Sequence, residues 1–151
     1  MAAENTVLSA LANEAVSHVG DTFEDQLFVD FTGAAHAGSA NSTYNLASAD
    51  WFKVFNVPAG AVITEFGWVT HTTDANNPTF TITGVDGTST GEEMKSATAI
   101  GAAYAAVIVH DTTPVEFASS SGYVKVTGGT ATNDAGKVTF FIKGFVAKRQ
   151  S

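Results

Sequence analysis

The chain has 151 residues, seven basic against fifteen acidic side chains and no cysteine, for a formal charge of −8. That length suits one domain burying roughly 68–70% of the surface its unfolded chain exposes, and the missing cysteine excludes disulfides, thiolate catalysis and cysteine-ligated zinc. Charged residues make up 15% of the chain against roughly 25% in an average soluble domain, which fits a Thr- and Ser-rich β-surface or a surface covered by another protein.

The acids are unevenly placed. Glu4, Glu14, Asp21, Glu24, Asp25, Asp30 and Asp50 all precede Lys53, the first basic residue. Such a segment has no counter-charge for phosphates and is repelled by nucleic acid and anionic lipid. Residues 1–19 lack the basic start and continuous apolar run of a signal peptide, and no stretch approaches the ~20 apolar residues of a membrane span. The expectation is a soluble product made in a cytoplasm.

In chain order, Val7, Leu8, Leu11, Ala12, Ala15, Val16 and Val19 share one helical face, with Gly20 as a stop, predicting a short amphipathic helix over 6–19. At ~14 residues it needs a surface to pack on, so residues 1–26 read as an N-terminal arm and residues 27–151 as the domain. From Leu27 the pattern turns to strands: 27–31, 51–57, 62–72, 79–85, 104–109, 115–118, 123–127 and 137–147. Pro58-Ala59-Gly60, Asp74 to Pro78, Asp86-Gly87, Asp111 to Pro114, Ser119 to Gly122 and Gly128 to Gly136 break these runs at the spacing of a sandwich or barrel. Residues 92–106, Ala-rich with Met94, Ile100 and Tyr104, have room for one helical turn. The predicted class is all-β, an antiparallel sandwich or barrel.

Alternation supplies the candidate core. Phe80 and Ile82 oppose Thr79, Thr81 and Thr83; Val124 and Val126 oppose Lys125 and Thr127; Val138, Phe140, Ile142 and Val146 oppose Thr139 and Lys143. Phe66, Trp68, Phe141 and Phe145 add aromatic rings that leave both faces of two long strands apolar. Such strands are central and covered twice, or one face meets a partner.

No residues assemble into a recognisable catalytic or ligand motif. His18, His36, His71 and His110 have no metal-ligand spacing, no G-x-S-x-G elbow occurs, and neighbours His110 and Asp111 point to opposite faces of a strand. Asp74-Ala75-Asn76-Asn77 has the oxygen-rich look of a calcium loop without its Gly and distant Glu, and reads as an Asx turn before Pro78. The Gly84 to Gly91 stretch lacks a P-loop lysine, and Glu92-Glu93 offers carboxylates on a domain too small for a deep glycosidase cleft. Asn41-Ser42-Thr43 matches a glycosylation sequon. No enzyme activity, cofactor or metal is expected.

Three segments carry a resemblance: TYNLASADWFKVFNVPAGAVITEFGWVTHT (43–72), PTFTITGVDG (78–87) and YVKVTGGTATNDAGKVTFFIKGFVAK (123–148). Over residues of about 43 to 147 the chain resembles the head decoration, or cement, proteins of tailed bacteriophages, with Val57-Pro58-Ala59-Gly60 in the early hairpin and Ala135-Gly136-Lys137-Val138 opening the closing strand. The arm of residues 1–26 has no counterpart in that pattern. The resemblance implies a β-sandwich or jelly roll, commonly a homotrimer, bound to the major capsid protein on the outside of the virion. A cement protein needs contact area and matching symmetry rather than chemistry. Val7, Leu8 and Leu11 of the arm, with Phe66, Trp68, Phe141 and Phe145, are the expected subunit or capsid contacts. The alternative is a carbohydrate- or receptor-binding module using Trp51, Trp68, Tyr44, Tyr104 or Tyr123 as platforms.

Overall fold

The computed structural model describes residues 4–6, 20–33, 45–85, 91–104, 106–116 and 121–147. Strands account for most of them: β1 (Glu4–Thr6), β2 (Thr22–Asp30), β3 (Trp51–Val57), β4 (Ala61–Thr72), β5 (Thr79–Val85), β6 (Gly91–Ala99), β7 (Ala106–Glu116), β8 (Gly122–Gly128) and β9 (Lys137–Val146). They form two sheets, ordered β1-β3-β8-β5-β6 and β2-β9-β4-β7. Neighbours are antiparallel except β1, which runs parallel to β3. The order is nested: β2 lies beside β9, β3 beside β8, β4 beside β7 and β5 beside β6.

Local chemistry explains the turns and the faces. Between β3 and β4 the Ala61 amide donates to the Pro58 carbonyl at 3.3 Å, and Gly60 takes φ +78°. A positive φ at the third turn position suits glycine, so the predicted Pro58-Ala59-Gly60 turn forms as a tight reversal. Strands β5, β8 and β9 alternate buried and less buried residues along most of their length, as period two requires.

An aromatic cluster joins the sheets. Trp68 and Phe140 from one sheet meet Phe52 and Phe80 from the other, with ring centroids 5.4–5.9 Å apart for Trp68–Phe80, Phe52–Phe140 and Phe80–Phe140. Phe31, just beyond β2, closes the cluster against Phe52 and Phe80. Tilted and edge-on pairs of this kind add to area burial.

Several elements differ from expectation. Strand β2 begins at Thr22, ahead of Leu27, because the acidic run Thr22-Phe23-Glu24-Asp25-Gln26 buries Phe23 while its polar residues remain on the surface. Residues 91–99 form a strand rather than a helical turn: β6 is an edge strand with register shifts against β5, and its charged composition hides the alternation. The two short strands expected around Asp111 to Pro114 are one, β7. Its ladder with β4 jumps from Ile63↔Val115 to Glu65↔His110, so Asp111 to Pro114 bulge away from it. Pro114 is tolerated there because β7 lies at the sheet edge. The predicted helix over 6–19 lies outside the described residues apart from Thr6, which ends β1.

Gly144 marks a close approach. A Cβ there would strike the Val62 carbonyl oxygen of β4 and lie 2.6 Å from the Phe23 ring. Gly144→Ala is expected to destabilise the fold by about 2 kcal/mol, since overpacking against backbone has no low-cost relief. Urea denaturation measures it.

Candidate interaction surface

Beneath the aromatic core, the outward side of the β2-β9-β4-β7 sheet is built from cross-strand rows. The register places Phe145 between Thr22 and Val62, Lys143 between Glu24 and Glu65, Phe141 between Gln26 and Gly67, and Thr139 between Phe28 and Val69. Polar and apolar rows therefore alternate down the face. Residues directly opposite one another are the interacting units of a sheet.

Phe28 is 55% exposed and Phe145 38%, large rings only partly covered by their own chain. Phe28 leans on His71 with 5.9 Å between centroids, and His71 Nε2 shares a hydrogen bond of 2.8 Å with the Thr139 hydroxyl. The Lys143 ammonium bridges Glu65 at 3.7 Å and Glu24 at 4.0 Å. At the end of the sheet, Lys137 lies 3.3 Å from Asp30. The Thr32 hydroxyl is the strongest influence holding the Asp30 carboxyl below its usual range, with the Thr32 amide and Lys137 adding to it against partial burial.

Gly67 leaves the row beside Phe141 without a side chain, and an open depression of about 460 Å³ lies there, lined by Glu24, Gln26, Glu65, Val69, Phe141 and Lys143. A second, of about 410 Å³, adjoins Phe145, Thr22 and Thr64. Rings, a central cation, flanking carboxylates and shallow relief suit a protein surface better than a small molecule, which prefers an enclosed apolar site.

The expected contact residues separate into three groups. Phe141 and Phe145 lie on this face. Phe66 and Trp68 do not, and the expectation for them is corrected: they are 1% and 0% exposed and point into the core. The reason is an irregularity at Thr64 between Ile63 and Glu65 in both ladders of β4. It shifts the phase by one residue, so Ile63 and Phe66 bury on the same side. Val7, Leu8 and Leu11 lie outside the described residues. Phe28 was not foreseen as a contact, although its phase, opposite to Leu27 and Val29, was a usable signal.

The glycan platforms fare differently. Trp68 has no exposed face to offer. Trp51 stacks on Tyr123 across the outer side of the other sheet, centroids 6.3 Å apart and planes within 7°. Lys125 Nζ sits 5.1 Å from the Trp51 ring and Lys53 Nζ 4.6 Å from that of Tyr123. Ring and cation–π partners already engage both side chains. Tyr44 lies outside the described residues. Asp74 makes the Asx turn: one oxygen accepts from the Asn76 amide at 2.8 Å, the other from the amides of Asp134 and Ala135 at 2.8 and 3.0 Å. Among the described residues no three His, Asp or Glu side chains gather as a metal site would require.

No protein-family model matches the chain, and no curated protein matches it. Among solved structures, a chain described as "Capsid of Ralstonia phage GP4" is similar, with a TM-score of 0.61 and 17% sequence identity over 96% of this chain and 99% of that one. The fold is shared with a chain of a phage capsid. The likeness runs nearly the length of both chains.

Proposed function

We propose that the chain is a structural protein of a phage virion, placed on the outside of the capsid, where it bridges subunits of the major capsid protein as a homotrimer. The observation that carries this reading is the end-to-end fold likeness to a capsid chain, and the resemblance of residues of about 43 to 147 to decoration proteins agrees with it. The nested strand order is, on this reading, the wrapping of a jelly roll.

The outer face of β2-β9-β4-β7 is the surface we assign to the shell. Phe28 and Phe145 anchor, while the Glu24–Lys143–Glu65 row sets register and excludes wrong partners, which is how rings and charges divide the work at interfaces. The arm, through Val7, Leu8 and Leu11, adds a contact with a neighbouring subunit; β1 already lies along the edge of β3.

Co-sedimentation with shells of the phage that encodes the chain, stripped of this protein, tests the assignment. The wild type is expected to pellet with shells, and the double variant Phe28→Ser/Phe145→Ser to bind about a hundredfold more weakly, since two anchors of ~1–2 kcal/mol each are lost. Both side chains are solvent-exposed, so folding is expected to stay within about 1 kcal/mol of wild type. Equal binding by the folded variant would remove the face from the account.

A further inference from the structure

The connections β2–β3, β4–β5, β6–β7 and β8–β9 gather at one end of the sandwich and are tied together by hydrogen bonds. Leu46 and Asn133 exchange backbone bonds of 2.9 Å, the Phe31 amide donates to Gly136 at 3.0 Å, and the Ile100 amide donates to Pro78 at 3.1 Å. Asp74 fastens the β4–β5 connection to Asp134 and Ala135. The Tyr104 amide donates to the Thr70 carbonyl at 2.6 Å.

Backbone strain collects at this same end. Among the described residues, the non-glycine positions with positive φ are Ala49 (+67°), Asn77 (+49°) and Tyr104 (+63°), one in each of three of these connections. Asn tolerates that conformation; a bulky side chain is disfavoured there by its Cβ. Tyr104 is the extreme case, because its ring is 84% exposed and recovers nothing by burial. A rigid base thus holds a large amphipathic ring out in solvent on a backbone where Gly or Asn would sit more easily. Local choices that oppose the fold point to work done outside it.

Charge indicates what the ring meets. Each copy carries −8, so two copies repel unless they meet where charge is sparse. Beside Tyr104 in the chain and along the β4–β5 connection, the exposed residues Thr72, Thr73, Ala75, Asn76, Asn77, Ala102 and Ala103 are uncharged, the exposed acid joined to them being Asp134, which accepts from Asn76, and the alanines allow close approach. The β2-β9-β4-β7 face, by contrast, presents Glu24, Glu65 and Lys143.

We infer that this loop end is the contact between copies of the chain, with Tyr104 as its anchor packing against a second copy, while the charged sheet face is left for the shell. The inference rests on the homo-oligomeric part of the function proposed above. Sedimentation velocity of the full chain over a concentration series, with Tyr104→Gly and Tyr104→Phe, tests it. Tyr104→Gly relieves the backbone and removes the ring, and unchanged circular dichroism shows the fold intact. The expected result is a wild-type oligomer, a glycine variant whose association is at least about tenfold weaker, and a phenylalanine variant close to wild type. A wild-type oligomer unaffected by Tyr104→Gly overturns the inference and leaves the oligomer standing. A wild type monomeric throughout the series overturns both.

Discussion

Trp68→Ala is expected to lower the unfolding free energy by about 3–5 kcal/mol, the range for deleting a large aromatic from a core. Trp68 is 0% exposed and meets Phe80 of the opposite sheet edge-on at 5.5 Å and Phe140 of its own at 6.5 Å. The cavity would therefore open between the sheets, where neither can close on it alone. Its Nε1–H also donates to the Ile100 carbonyl at 3.0 Å, an acceptor that the Thr70 hydroxyl shares. Trp68→Phe keeps a ring and loses the donor, and is expected to cost less than the alanine variant. Urea denaturation with an unchanged m-value measures both. A cost below about 1 kcal/mol for Trp68→Ala would place the tryptophan outside the core.

Asp74→Ala is expected to cost about 3 kcal/mol at neutral pH, because it leaves the amides of Asn76, Asp134 and Ala135 without their shared acceptor. The carboxylate is 6% exposed. Burial pushes its pKa up, but the hydrogen bonds from the Asn76, Asp134 and Ala135 amides outweigh burial and hold it below the ordinary aspartate value. A depressed folded pKa gives stability that is complete above the unfolded value and disappears as pH falls through the folded one. The wild type should therefore weaken below about pH 4, and the gap between wild type and variant should narrow over the same range. Asp30, also depressed, leaves some acid sensitivity in the variant. A gap independent of pH between 6 and about 2.5 would show that the carboxylate charge plays no part.

How much of this was legible in the sequence depended on phase. Strands β5, β8 and β9 alternate along most of their length, so Phe80, Ile82, Val124, Val126, Val138, Phe140 and Ile142 are the core they were expected to be. Strand β4 misled because one irregularity at Thr64 shifts its phase, a backbone event that side-chain order does not announce. Leu46, Phe31 and Ile100 are buried from loops, where no period exists to read. On the candidate surface, Phe141 and Phe145 were visible as a second apolar phase of a strand whose first phase was already filled. The left-handed backbone at Tyr104 had no sequence signal, since Tyr is not a residue that favours it.

On the proposed reading, the outer face of β2-β9-β4-β7 seats this chain on a capsid. A cryo-electron microscopy map of the mature particle tests it most directly. The expected result is density for the sandwich on the outer shell, with Phe28 and Phe145 turned toward the major capsid protein. A particle without the chain would contradict the virion role. A particle in which that face is turned to solvent would contradict the assignment of the surface.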